Sequence, residues 1–379
     1  MTEQPGGPAV EPDHHSHHDE EMPRVVITRE RALIFGLFVA SAVAFLYFVL
    51  PKLAGLGDTW HRLGEGDSTW LLVAFGLECL SFAGYVVLFR TVFVRAGSRI
   101  DFRASYQITM AGLAATRLFA AAGAGGIALT AWALRRSGMA RREVAGRMLA
   151  FLVLLYTVYA AALVITGLGL YLGVFNGPAP FAITVVPAAF GAFAFLVAGA
   201  MAFVPADAER WIVSRGQGEG RARRLLASAA TVPASVSTGI RTAIGLVREG
   251  RWGVLGAVAW WGFDVAVLWA CFHAYGPDPP PIAVIVMAYF VGMLANTLPL
   301  PGGIGGVDGG MIGAFAAFDV AFGYATVAVL TYRAFAFWLP TLPGAIAYFQ
   351  LRRTVAGWRE ERAVGEAQAS PGGLLYKVK

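Results

Sequence analysis

Residues 296–315 read "NTLPLPGGIGGVDGGMIGAF". The stretch lies inside an apolar region, 282–318, yet holds two prolines, seven glycines and a single carboxylate, Asp308. Proline removes a backbone donor and clashes with the preceding turn, and glycine adopts backbone angles closed to other residues, so a continuous helix is not expected here. Non-helical backbone at membrane depth leaves amides and carbonyls unpaired at a cost of several kcal/mol each, and it is tolerated only where it is buried in protein or lines a wet cavity. The break therefore predicts a polar site inside lipid, where two short half-helices meet and the amides opening the second face an anionic group. The competing reading is a packing device, in which small residues let helices approach closely and a Pro-Gly turn merely joins them.

That the surroundings are lipid follows from composition. Of 379 residues, 57% are hydrophobic and 14% charged, against roughly 25% charged in a soluble domain. Apolar runs long enough to cross about 30 Å of hydrocarbon fall at 32–50, 70–92, 145–172, 181–204, 252–274 and 322–350, which gives six plain spans. A second broken region, 104–134, carries "AAAGAGGIAL" near its middle. The expected fold is thus all-α and polytopic: six spans plus two glycine-broken, re-entrant helical hairpins within a membrane domain over 29–355. The flanks 1–28 and 356–379 are expected to be cytoplasmic tails, the first disordered, polar and His-biased, with no charged-then-apolar start of a cleavable signal peptide.

Arginine placement sets the orientation. Arg24, Arg29 and Arg31 precede the first span, Arg90 to Arg103 follow the second, Arg135 to Arg147 follow the first broken region, and eight arginines lie in 205–251. By contrast, 173–180 and 275–281 hold no Lys or Arg. The positive-inside rule puts the first group and both termini in the cytoplasm of a multi-pass cell-membrane protein. This works if each broken region crosses zero or two times. Each half then holds three spans and one hairpin, and the second half (180–350) is an inverted copy of the first (30–173). Short echoes accompany the pattern: "LAAT" at 113–116 against "LANT" at 294–297, and Arg147 against Arg333 after each hairpin. The segment 205–251 is expected to lie on anionic headgroups as an interfacial helix.

Ionisable residues at membrane depth cost about 2.5–3.5 kcal/mol each on insertion scales and mark functional positions. Five stand out: Glu78, Arg117, Asp264, Asp308 and Arg333. Glu78 and Asp264 occupy equivalent helices of the two proposed halves, so symmetry would gather the acids, the hairpins and their arginines at one centre. For each residue a substrate role competes with a buried structural pair, Glu78 with Arg117 or Asp308 with Arg333. Other chemistries find no support. "GAGGIA" at 123–128 formally matches a dinucleotide fingerprint but lacks the strand and βαβ setting. Cys79 and Cys271 have no metal or redox spacing around them and read as packing residues. The net charge of +6 reflects membrane flanks rather than nucleic-acid binding. No metal and no cofactor are expected.

"PLPGGIGGVDGG", followed by a span containing "TYRAFAFWLPTLPG", resembles the flippase-like family typified by the lysylphosphatidylglycerol synthase transmembrane region. The resemblance places the family's hairpin pattern on Pro301, Gly302, Gly303, Gly305, Asp308 and Arg333, with Pro299 before it. Asp308 stands where the family usually has glutamate. In the first half only Gly125, Gly126 and "LRRSG" match, and Arg117 remains as the polar group of that hairpin. The resemblance implies a non-enzymatic flippase or transporter that moves a phospholipid or lipid-linked headgroup between leaflets. In that reading Arg117 and Arg333 bind the anionic headgroup, while Glu78, Asp264 and Asp308 position it or carry a coupling proton. The alternatives are a membrane-embedded headgroup transferase, since relatives are fused to a soluble aminoacyltransferase domain not seen in this sequence, and a non-catalytic scaffold.

Overall fold

The computed structural model describes residues 63–118, 124–203, 236–297, 303 and 305–369. Among these the secondary structure is helical throughout. In chain order the helices are α1 (Ser68–Phe93), α2 (Phe102–Leu118), α3 (Ala124–Arg136), α4 (Arg141–Tyr171), α5 (Phe181–Ala202), α6 (236–248), α7 (Gly256–Tyr275), α8 (Ile282–Met293), α9 (Gly306–Ala317), α10 (Phe322–Arg333) and α11 (Thr341–Ala369). Short 3₁₀ turns precede α7 (Trp252–Leu255) and follow α8 (Leu294–Thr297). Five stretches are long and apolar enough to cross a membrane: α1, α4, α5, α7 with its leading turn, and 322–361. The predicted tail 1–28, the predicted span 32–50, the hairpin tip 119–123, Pro299, Pro301 and Gly302, and 205–235 of the predicted interfacial segment lie outside the described residues.

α1 and α7 form the most extensive pairing, and they run antiparallel. At one end the Asp67 amide donates to the Ala274 carbonyl (2.9 Å). Midway Ser81 donates to the Trp260 carbonyl (2.9 Å), and at the far end Arg251 donates to that of Thr91 (3.0 Å). The fit depends on glycine: a Cβ on Gly84 would sit 2.7 Å from that of Ala259, and one on Gly256 2.4 Å from the Gly84 carbonyl oxygen. Asp67 caps α1, accepting from the amides of Thr69 and Trp70, and these bonds hold its carboxyl below the usual aspartate range.

Arginine gathers at one end of the bundle. Arg95 pairs with Glu143 (2.5 Å), Arg147 pairs with Glu143 and donates to the Val92 carbonyl, and Arg99 donates to the Trp358 carbonyl (3.0 Å). The opposite end carries the loops 172–180 and 276–281, where Gly177 packs against Val284 in the first turn of α8. Here His273 stacks on Trp70, with ring centroids 4.4 Å apart. α2 and α3 fold back on each other from the arginine end, with Gly126 seated against Gly112 and Thr116. α8 and α9 do the same from the opposite end, with Gly292 against Gly310 and Met311. Each hairpin fills its own half of the molecule. One apolar core, around Phe272, Tyr289, Phe315 and Val329, includes α8 and α9; the other, around Leu88, Ile108, Leu134 and Leu351, includes α2 and α3.

Three expectations are corrected. The last span is broken: after Arg333 a π turn runs Ala334–Trp338 before α11 begins, because Pro340 and Pro343 cannot donate to the preceding helix. α11 then continues past 355 to Ala369 and Trp358 is buried, so the flank is helical there and packed as far as Trp358, while 359–361 and Val364 are exposed. Cys271 is buried as expected, but Cys79 lies exposed on α1, on a face that also exposes Leu72, Phe75 and Leu80. A helix of such composition buries only the side that meets protein, and lipid suits the rest. Of the predicted interfacial segment, 236–248 is an α-helix with Ile240, Ala243 and Leu246 buried, and Gly239 packs against Leu149 of α4.

Candidate functional site

The polar cluster sits between the two cores. At a rise of 1.5 Å per residue, the twelve residues of α10 carry the chain about 18 Å from its start, at the end remote from the arginines, to Arg333, roughly half the hydrocarbon thickness. Glu78 lies ten residues into α1 and Asp264 eleven residues from the end of α7, and these helices are antiparallel, so both reach the same depth.

Asp308 sits in the first turn of α9. Gly305, at φ 82°, reverses the chain in the left-handed region that favours glycine, and its amide donates to Asp308 Oδ2 (2.8 Å). Gly303 has φ 66°, and a Cβ there would meet Asn296 Oδ1 at 2.4 Å. The anion at the start of this half-helix is therefore the chain's own carboxylate, which occupies the place the sequence assigns to substrate. Asp308 Oδ1 in turn pairs with Arg333 Nε at 2.6 Å, with side-chain exposures of 3% and 9%.

Arg333 ends α10, and the π turn beyond it turns Phe337 toward both arginines. The Phe337 ring centroid is 4.7 Å from the Arg333 guanidinium carbon and 5.7 Å from that of Arg117. Arg117, at the end of α2, donates through Nη2 to the Ala336 carbonyl (2.7 Å) and also lies over Phe82. Its Nη1 is buried with no hydrogen-bond partner among the described residues. The end of one hairpin thus meets the π turn beside the start of the other.

Asp264 Oδ2 accepts two tyrosine hydroxyls, from Tyr332 (3.0 Å) and Tyr289. Glu78, 2% exposed, faces Asp264 and Arg117, and its Oε2 has no partner among the described residues. Arg117 feels Glu78, Arg333, Asp264 and Tyr332 electrostatically, and Asp308 joins them through its ion pair with Arg333, so the five ionisable side chains form one interacting group.

The remaining predicted residues have other surroundings. Gly126 is buried where a Cβ would strike Thr116 Oγ1 at 2.0 Å, so it serves helix packing, and Gly125 is half-buried beside it. Arg147 is not the counterpart of Arg333, since it lies at the arginine end of α4, seven residues in. Across the centre it is Arg117 that faces Arg333. Sequence reading missed Tyr289, Tyr332 and Phe337. Only the adjacency of Tyr332 to Arg333 in "TYR" hinted at one of them.

Comparison with known proteins places this geometry. A UPF0104 membrane protein of Methanothermobacter thermautotrophicus is 36% identical over 110 residues, 29% of this chain and 31% of that protein, so the match spans under a third of the relative's length. The family model of the lysylphosphatidylglycerol synthase transmembrane region matches residues 33–344, which takes in both hairpins, all five ionisable residues of the cluster and the π turn. The chain therefore belongs to the lysylphosphatidylglycerol synthase transmembrane-region family, an integral membrane, lipid-related family.

Proposed function

We propose that this protein moves a polar lipid between leaflets without chemical conversion, drawing the headgroup into the midplane cluster while its acyl chains stay in the bilayer. The observation that carries the reading is Arg117 Nη1, a buried guanidinium donor with no partner among the described residues, at mid-membrane beside a second arginine. Leaving such a donor unmatched is expensive in a low-dielectric interior, and a phosphate oxygen would satisfy it. An anionic headgroup is the matching substrate class. Arg117 binds it, Phe82 and Phe337 wall it, and Arg333, held in place by Asp308, stands beside it.

The inverted-repeat reading supports transport. α2 packs against α11 of the second half and α8 against α4 of the first, as an exchange of halves requires, and the matched helices α1 and α7 pair with each other. The hairpins then enter from opposite faces and return, and the arginine end, with both termini, faces the cytoplasm. Anionic lipids would attract the same end.

A headgroup transferase on the same scaffold is the competing reading, and one assay separates the two. Purified protein is reconstituted in liposomes with labelled phosphatidylglycerol, and outer-leaflet label and lipid species are both followed. Transbilayer movement with unchanged lipid supports transport. A new lipid product would move the protein to the transferases, and neither outcome would leave a scaffold.

A further inference from the structure

The cluster's charges do not balance. Among the described residues Glu78, Asp264 and Asp308 face two guanidinium groups, Arg117 and Arg333, an excess of one negative charge if all are ionised. The neighbouring stretches 119–123, 298–302 and 304 contain no ionisable side chain that could correct it. An uncompensated charge at this depth is prohibitive, so the cluster must hold a proton or a foreign cation. Which carboxyl holds it follows from partners. Asp308 accepts from the Gly305 amide and pairs with Arg333. Asp264 accepts two tyrosine hydroxyls, bonds that suit a carboxylate. Glu78 has no ion pair among the described residues, its Oε2 has no hydrogen bond there, and its side-chain hydrogen bond is with Asp264, a carboxyl-to-carboxyl contact that itself requires a proton.

A route reaches it. At the end remote from the arginines a cavity of about 300 Å³ is lined by Glu65, Tyr275, Tyr324 and neighbours. Tyr275, whose hydroxyl accepts from Thr331 (2.9 Å), opens onto it. One turn further into α7 lies Cys271, within electrostatic reach of both Tyr275 and Glu78. The titratable and charged groups facing Glu78 are Asp264 and Cys271 from α7, Arg117 from α2 and Tyr332 from α10.

We propose that Glu78 carries an exchangeable proton, loaded through the cavity at the Tyr275 end of α7, and that lipid movement is coupled to its exchange. Binding at Oε2 neutralises the cluster and lets the anionic headgroup in, and release restores a single negative charge that repels it. The coupling rests on the transport reading above; the proton site does not.

Infrared spectroscopy of the purified, detergent-solubilised protein at neutral pH tests the site. The expected result is a protonated-carboxyl band that shifts when glutamate is carboxyl-labelled with carbon-13 and is lost in Glu78→Gln. Absence of the band, or a shift with labelled aspartate instead, would overturn the assignment without requiring any variant to fold. Coupling is read in phosphatidylcholine–phosphatidylglycerol liposomes with labelled phosphatidylglycerol and an imposed pH gradient. Movement that responds to the gradient in the wild type, with that response lost in Glu78→Gln, supports coupling. Equal movement with and without a gradient overturns coupling. No movement under any condition instead overturns the transport reading, and the infrared result still decides the proton site.

Discussion

Replacing Asp308 and Arg333, singly and together, separates a headgroup site from a structural ion pair. The two side chains meet at 2.6 Å with exposures of 3% and 9%, so removing one charge strands the other in a dry environment. The cost of breaking such a pair is about 3–5 kcal/mol, whereas replacing both partners is often close to neutral. Asp308→Asn is the cleaner single change, because the amide oxygen still accepts from Gly305 and the turn into α9 survives. The loss then falls on the Arg333 contact alone, and a shift in thermal midpoint on the order of 10 °C is expected. Arg333→Gln should cost a similar amount. The double variant should recover most of the stability, since no bare charge remains. Thermal unfolding followed by size-exclusion chromatography reads stability, and liposome assays read lipid movement. The expected outcome is a well-folded double variant that moves little lipid. Near-normal movement by a well-folded double variant would refute the assignment of these charges to the transport site.

Three further outcomes follow from packing and placement. Gly84→Leu should separate α1 from α7, because even a Cβ would stand 2.7 Å from that of Ala259; a loss of about 1–3 kcal/mol is expected, and an unchanged thermal midpoint would contradict the close helix approach. Tyr289→Phe and Tyr332→Phe each remove a hydroxyl from Asp264 Oδ2 and should cost about 1.5–3 kcal/mol, with the double variant losing more than either; unchanged stability in both would show that these bonds are not made. Cysteines placed at Gly177 and Gly250 should label from opposite sides of intact cells, Gly177 from outside, and labelling of both from one side would sink the orientation.

Much of the bundle was legible because the bilayer imposes length. An apolar run such as 70–92 has to be a helix, and α1 falls within two residues of it. The hairpin breaks were legible for the complementary reason that glycine and proline cluster there, seven and two of them within 296–315. The five ionisable residues were visible through their cost. Their partners were not. Tyr289 and Phe337 read as ordinary apolar-span aromatics, and nothing local marks the Ala336 carbonyl as the acceptor for Arg117, because the contact joins residues 219 positions apart. The π turn also escaped notice, since "AFAFW" has no breaker of its own and the prolines responsible lie beyond it. The true extent of α11 was hidden by polarity: "REERAVGEAQA" suits a solvated helix as well as a tail.

α1 and α7 are joined along their whole length, backbone nearly on backbone, with ties at both ends and in the middle. Such a seam resists bending and sliding, so the pair serves as a fixed frame. Glu78 and Asp264 ride on that frame, while Arg117, Asp308 and Arg333 ride on the hairpins and the helix that ends in the π turn. If the hairpins rock, the cations move past stationary acids. The distances that neutralise the cluster then change with each stroke, and opening toward either leaflet alters the field felt by whatever occupies the centre. Here geometry and charge amount to a single coordinate.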